Sequence, residues 1–280
     1  MDLTKHLKEL QRLSAALKKL NTAKKPLGDH VRLDLLAEAI AATKVFESFE
    51  LRPALEQEAE SIRRRLESSL ETRREDLLKA ARQAGVPQKR FGEFDRVGLF
   101  KVTYRGKKVA LEIGSEPAAE FEATEGEQIL VAVQEQLAAL EAQPFSREDF
   151  FRSVKDAVRL ARERGKDRDG WVPIRLVYVY VVLLRNLQFD DFVKRPSIRS
   201  FRDYSRAQFV YDLARFGKKD WTCGDETLRG ETPNMATVTA GKSVTLPNLD
   251  ELDKLGHQFA RIRIEKGAAG GTERNPGKAG

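Results

Sequence analysis

Apolar residues recur at helical spacing along the start of the chain. A stripe with a period of about seven residues contains Leu3, Leu10, Leu13, Leu17 and Leu20. This spacing predicts an amphipathic helix. A helix of this length is marginal in isolation and has to dock on another element. Its interaction stripe therefore contacts either the protein's own core or a helix of a partner, and the sequence leaves both possibilities open.

Two more helices are predicted before residue 85. The first covers residues 31–49, and the second begins near Pro53, a residue type favoured in the first turn of a helix, and continues to about residue 84. The apolar stripe of the second helix is narrow, which is typical of a bundle or coiled-coil seam. At 1.5 Å per residue this helix would be about 45–50 Å long.

The spacing of apolar residues changes from helical to alternating after residue 91, before a further helix that ends near residue 143. Alternating apolar residues at 99–104 and 109–113 flank a Gly-containing turn, a pattern that predicts a β-hairpin. A capping-box pattern at Thr124–Glu127 then begins a helix that ends near Pro144. Residues 1–143 are thus predicted to form an elongated, mostly helical module with one β-hairpin, suited to self-association or docking.

In the second half, capping patterns begin at Ser146 and Ser205, and each predicts a helix. The apolar run at 174–187 fits both a strand and one helical face, and helix is favoured because the run exceeds typical strand length. Residues 235–246 alternate β-branched and small residues around Gly241, which predicts a second hairpin. The Gly-rich segment 267–280 is predicted to be a disordered tail.

Charge is distributed unevenly between the halves. Residues 1–145 carry 24 Lys and Arg against 24 Asp and Glu, whereas residues 146–280 carry 26 against 19, so the formal charge of +7 lies in the second half. Residues 192–222 contain eight basic residues and three acidic ones. This asymmetry predicts a polyanion as the partner of the second half.

The order of a helix, a loop, a capped helix and a two-stranded ribbon over residues 170–246 resembles a winged helix-turn-helix domain. The resemblance covers less than a third of the chain. It implies that the helix at 205–216 is a recognition helix in the DNA major groove, where Arg206 and Gln208 would meet base edges. It also implies that nearby cations bind phosphates. The predicted DNA-binding residues are Arg199, Arg202, Ser205, Arg206, Gln208, Arg215, Lys218, Lys219 and Lys242.

Catalytic chemistry finds little support in the sequence. Gly241-Lys242-Ser243 lacks the earlier glycine of a phosphate-binding loop, because position 236 is alanine. The three histidines are far apart in sequence, and Cys223 is the single cysteine. We therefore expect no catalytic residues, no metal and no cofactor. A lone cysteine also indicates a reducing compartment.

The predicted fold class is α+β and mostly helical. An elongated, coiled-coil-like helical module with one β-hairpin (residues 1–143) precedes a basic winged-helix-like module (residues 146–266). The predicted function is that of a non-enzymatic, cytoplasmic, DNA-binding or DNA-associated accessory protein. It would self-associate or bind a helical partner protein through the first module and would have no membrane contact. The alternative is an assembly or adaptor subunit of a larger, possibly ATPase-containing complex, without direct DNA contact.

Overall fold

The structure is a computed structural model that describes residues 3–22, 28–44, 52–251 and 255–266. Over these ranges the chain is mostly helical with small antiparallel sheets, so the predicted α+β class is confirmed. The predicted tail at 267–280 lies outside the described residues.

The first half begins with a helical bundle. Its three helices are α1 (Leu3–Thr22), α2 (Asp29–Thr43) and α3 (Arg52–Gln83). Leu13 of α1, Leu36 of α2 and Ile62 of α3 are buried together in one core. Helix α2 ends before the predicted boundary at 49, and residues 45–51 lie outside the described ranges. Helix α3 has 32 residues and is about 48 Å long, which agrees with the length expected from the sequence.

The leucine stripe of α1 is used mainly within this chain. Leu13 is buried, and Leu17 and Leu20 pack partly buried against the same core. Leu10 is 46% exposed, and the side chain of Leu3 lies outside the described part of the structure. The stripe therefore leaves one position, Leu10, that a partner can reach.

A five-stranded antiparallel meander follows the bundle. Its strands, in spatial and chain order, are β1 (Gln88–Arg90), β2 (Phe94–Val97), β3 (Phe100–Arg105), β4 (Lys108–Ile113) and β5 (Glu116–Glu122). The predicted hairpin is confirmed as β3–β4, with Gly106 at φ +64 in its turn. The expectation of a lone hairpin is wrong, because five strands pair here. The outer strands were not recognised in the sequence because β1 is polar and β5 contains acids and alanine, which have low strand propensity.

Helix α4 (Gly126–Glu141) and α3 cover one face of this sheet. Its core contains Phe100, Leu111 and Ile129, which are fully buried. The capping box of α4 is formed by Glu125 and Gln128, one residue later than the sequence predicts. At Gly126 an added Cβ would lie 2.1 Å from the backbone nitrogen of Leu77, so the two helices touch where only glycine fits.

A buried polar cluster ties α3 to the sheet. Arg74 donates from Nε and Nη2 to the two carboxylate oxygens of Asp95 over 2.9 and 2.8 Å, and the Tyr104 hydroxyl donates to Asp95 over 2.7 Å. The neighbouring Arg73 donates to the carbonyls of Gly106 and Ala123. Burial, reinforced by the hydrogen bond to Asp95, raises the pKa of Tyr104. Asp95 thus compensates the charge of Arg74 inside the core, and backbone carbonyls accept from Arg73.

The second half contains five helices and six strands over the described residues. In chain order they are α5 (Arg147–Glu163), β6 (Val172–Pro173), α6 (Ile174–Asn186), α7 (Asp190–Lys194), α8 (Arg206–Gly217), β7 (Thr222–Cys223), β8 (Glu226–Glu231), α9 (Met235–Thr239), β9 (Val244–Pro247), β10 (Leu255–Phe259) and β11 (Arg261–Lys266). The ambiguous run at 174–187 is the helix α6. As predicted, Ser146 and Ser205 cap α5 and α8, their hydroxyls accepting from backbone N–H groups.

Strand pairing in this half differs from the prediction. The hairpin expected at 235–246 is wrong, because Met235–Thr239 is a helix capped by the Asn234 side chain. Strand β8 pairs instead with β11 along its whole length, and β9 pairs with β10. Strands β8 and β11 are separated by a long insertion, so local alternation could not identify them as partners. The four-stranded sheet has the order β6-β11-β8-β7.

We predict that replacing Arg74 by alanine strongly destabilises the protein. The substitution leaves the fully buried Asp95 carboxylate without its cation, and breaking such a pair costs about 3–5 kcal/mol. Chemical denaturation followed by circular dichroism measures the free energy of unfolding. The control is Arg64→Ala, which removes an exposed cation paired with Glu60 and should cost less than about 1 kcal/mol. Equal losses in the two variants would contradict this role for Arg74.

Candidate interaction surface

Helix α8 is buried on both sides. Phe209, Leu213 and Phe216 belong to the core of the second half. Ala207 and Tyr211, on the other side, belong to the core of the five-stranded sheet. Both faces of α8 are thus covered by protein in this structure, whereas a recognition helix needs one face free to enter a DNA groove. The DNA-binding role of the second half stays a prediction.

Gln208 illustrates this correction. Its side chain is 5% exposed and donates to the carbonyl of Leu140 over 3.2 Å and to Asp212 over 2.9 Å. Its backbone N–H donates to the capping hydroxyl of Ser205. The expectation that Gln208 contacts a base is therefore wrong for this structure, because its buried side chain bonds to Leu140 of α4 and to Asp212 within α8.

The contact between the two halves extends beyond α8. The Ser115 hydroxyl accepts from the backbone nitrogen of Thr245 over 2.9 Å, and Arg175 pairs with the buried Glu116 over 2.8 Å. A Cβ at Gly114 would lie 1.9 Å from the carbonyl oxygen of Thr245, so glycine is required there. Polar bonds and close backbone approach thus connect the sheet to β9 and α6.

Three of the predicted DNA-binding cations have other roles or positions. Arg215 stacks over the ring of Phe145 at 4.3 Å and lies 3.6 Å from a carboxylate oxygen of Asp212. Lys218 pairs with Asp250. Lys242 is exposed in the loop whose carbonyls accept from Arg175, far along the chain from the exposed Lys219. Arg215 and Lys218 are therefore occupied by carboxylates of this chain, whereas Lys219 and Lys242 are exposed.

Four arginines on α6 or in the segment between α6 and the first residue of α8 form a group that we call the arginine rim: Arg185, Arg199, Arg202 and Arg206. The guanidinium carbons of Arg185, Arg202 and Arg206 lie 4.2, 3.6 and 5.9 Å from the ring centroids of Tyr204, Phe189 and Tyr178 respectively. Among the described residues, no carboxylate forms an ion pair with any rim arginine. A guanidinium group beside an aromatic ring can still donate from its N–H groups.

An apolar surface adjoins the rim, and we call it the α6 face. Val179, Leu183 and Leu187 project outward from α6 and are 40–54% exposed. Val193 of α7, Phe201 and Ile198, which is 96% exposed, are further exposed apolar residues in the segment after α6. Exposed apolar patches on monomeric proteins usually mark binding sites. The apolar run at 174–187 was assigned only a secondary structure from the sequence, although its hydrophobicity on all sides was a signal of further burial.

A cavity of about 770 Å³ opens between the start of α5 and the end of α6. Phe145, Phe150, Leu184 and Phe189 contribute apolar lining, and Leu187 of the α6 face lies at the same cavity. Asp212 is also among the lining residues, where Tyr204 and Gln208 donate hydrogen bonds to it. Burial raises the pKa of Asp212, and the two hydrogen bonds partly oppose this shift.

Comparison with known proteins finds no protein-family model, curated protein or solved structure that matches the chain. Within the described ranges, no group of three His, Cys, Asp or Glu side chains could hold a metal ion. Of the helices in those ranges, none has both the length and the hydrophobicity needed to cross a bilayer.

We predict that Asp212 weakens the fold as it ionises. Its pKa is raised above the ordinary value of 3.8, so the folded state binds the proton more tightly than the unfolded state. Stability therefore falls as pH rises from about 4 through the raised pKa. Relative to Asp212→Asn, the wild-type free energy of unfolding should decrease across this window by at most about 1.4 kcal/mol per pH unit. A difference that stays constant from pH 4 to 7 would contradict the assignment.

Proposed function

We propose that this protein is a non-enzymatic adaptor whose winged-helix-like second half binds a partner protein through the α6 face and the arginine rim. The observation that carries the proposal is the set of exposed apolar side chains on α6 and in the segment up to Phe201, a part of the chain that also carries arginines with no carboxylate partner among the described residues.

The order of elements supports the winged-helix-like part of the proposal. Helix α6, the capped helix α8 and an antiparallel ribbon of β8 and β11 follow one another in the order that carries the resemblance, and β6 adds a third strand. The ribbon is formed by different strands from those expected. Its two strands are joined by the insertion 232–260, which contains α9, β9 and β10.

The composition of the surface favours protein over DNA as the partner. Protein interfaces are enriched in aromatic residues and arginine and depleted in lysine, whereas DNA-binding surfaces are polar and strongly basic. The rim consists of arginines that alternate with leucine, valine, isoleucine and phenylalanine side chains. Helix α8, the element expected to read DNA, is covered by the first half.

DNA backbone contact is a second candidate function. Arg199, Arg202, Arg206, Lys219 and Lys242 are exposed, and no carboxylate in the described chain forms an ion pair with any of them. Such cations can bind phosphates without groove contact. Binding of this kind would be independent of DNA sequence and strongly salt-dependent.

Self-association through the first half is a further proposal. Leu7, Leu10 and Val31 remain exposed on α1 and α2. This small apolar area supports contact with a second helix, while most of the leucine stripe is occupied by α2 and α3.

We expect a photo-crosslinking amino acid at Leu183 to form a discrete protein adduct in cells that make this protein, because Leu183 lies in the middle of the α6 face. The adduct should be lost when Leu187→Glu places a charge on the same face. The matched control carries the crosslinker at Ser69, which is exposed on α3. Denaturing electrophoresis with mass spectrometry identifies the adducts.

Two outcomes would contradict the docking role. One is an adduct pattern that is the same at Leu183 and Ser69. The other is the absence of a protein adduct at Leu183, together with tight binding of purified protein to duplex DNA that Arg199→Ala/Arg202→Ala/Arg206→Ala abolishes. The latter result would favour the DNA candidate.

A further inference from the structure

We infer that the element bound by the α6 face is an amphipathic helix of a partner protein with acidic side chains along one flank. This inference rests on the proposed docking function and specifies the chemistry of the partner.

The apolar row on α6 has the geometry of a helix-packing surface. Val179, Leu183 and Leu187 are each four residues apart, so they form one ridge about 12 Å long. Val193, Ile198 and Phe201 enlarge this ridge into a broader apolar surface. An amphipathic helix covers such a surface with apolar residues at positions i, i+3, i+4 and i+7.

The charge of the rim specifies the flank of that helix. Arg185, Arg199, Arg202 and Arg206 place four positive charges on α6 and in the segment after it. The exposed acids of the same segment are Asp190, which is paired with Lys194, Asp191 and Asp203. By contrast, Arg152 and Arg159 on α5 are each paired with an aspartate. Carboxylates of a partner would supply the pairs that the rim arginines lack. A guanidinium group can bind a carboxylate through two parallel N–H···O bonds.

The same charges argue against a second copy of this chain as the occupant. A two-fold symmetric contact brings the same patch of both copies together. Two α6 faces packed in this way would place both arginine rims at one interface, where like charges repel. The acidic partner helix has no such penalty.

The cavity between α5 and α6 provides an anchor site for the partner helix. Phe145, Phe150 and Phe189 give it an aromatic lining, and Leu187 connects it to the ridge. Binding energy at interfaces concentrates where a large apolar side chain fills such a pocket. We expect one leucine or aromatic residue of the partner helix to occupy this cavity.

The test uses labelled peptides of about 16 residues and the purified full-length chain. One peptide has leucines at helical spacing with glutamates along one flank, and the second has lysines in place of the glutamates. Fluorescence anisotropy measures both affinities at several salt concentrations. We expect the acidic peptide to bind at least about tenfold more tightly than the basic one, with affinity that falls as salt rises.

Three variants distinguish the parts of the site. The variant Arg199→Glu/Arg202→Glu/Arg206→Glu should bind the acidic peptide at least about tenfold more weakly than wild type and should bind the basic peptide more tightly. Ser153→Phe, which fills the cavity from α5, should weaken binding of both peptides. The matched control Lys79→Glu/Arg82→Glu/Arg105→Glu changes net charge equally at exposed positions elsewhere and should bind like wild type. Circular dichroism verifies that each variant is folded.

Failure of the inference differs from failure of the docking function. If the basic peptide binds as tightly as the acidic one while Leu183→Asp abolishes binding of both, the acidic flank is wrong and the docking face stands. If Leu183→Asp and Leu187→Asp leave peptide binding unchanged, the docking face itself is wrong. A DNA duplex that binds more tightly than the acidic peptide, with the same loss in the rim variant, would overturn the inference in favour of phosphate.

Discussion

Because α8 is shared by two hydrophobic cores, it determines which surfaces of this protein are free to bind a partner. Phe209 and Leu213 fill the core of the second half, and Tyr211 lies in the core of the sheet that belongs to the first half. Removing α8 from either core would expose large apolar side chains, at roughly 1.5–3 kcal/mol each. The helix therefore holds the halves together, and the neighbouring α6 is left with an uncovered face.

Buried polar groups give this packing its register. Asp212 accepts from Tyr204 and Gln208, and Gln208 also reaches the carbonyl of Leu140 across the contact between the halves. A shift of α8 against α4 would break the bond from Gln208 to Leu140 and leave a buried donor and acceptor unpaired, at about 1–3 kcal/mol each. The apolar cores supply most of the attraction, and these bonds select one arrangement.

Local features of the sequence predicted local structure well. Ser146 and Ser205 mark helix starts, the narrow stripe after Pro53 forms α3, and the alternation around Gly106 forms a hairpin. Pairing between distant segments was not predictable in this way. Strand β11 completes a sheet with β8 across the long insertion, and its alternating residues do not specify that partner.

The candidate site was predicted only in part. Arg199, Arg202 and Arg206 were among the predicted cations, and the structure places Arg202 at Phe189 and Arg206 near Tyr178 of α6. Gln208 was assigned to DNA because local reasoning treated α8 as having one free face. The composition of 206–217 contained the contrary signal, since apolar residues occur on every side of the helix, as in helices buried on all sides. What covers a helix depends on tertiary structure, so the open face of α6 could be recognised only in the folded chain.

Hydrogen exchange of the α8 backbone, in the full chain with and without duplex DNA, tests the central claim most directly. Buried helices exchange only through large-scale unfolding. Amides of residues 210–216 should therefore be protected to the same degree as those of β3 and β4, and DNA should leave their protection unchanged. Rapid exchange in α8 while the sheet stays protected, or added protection of α8 by DNA, would contradict the account. Either result would show that α8 can leave the first half and is available to bind.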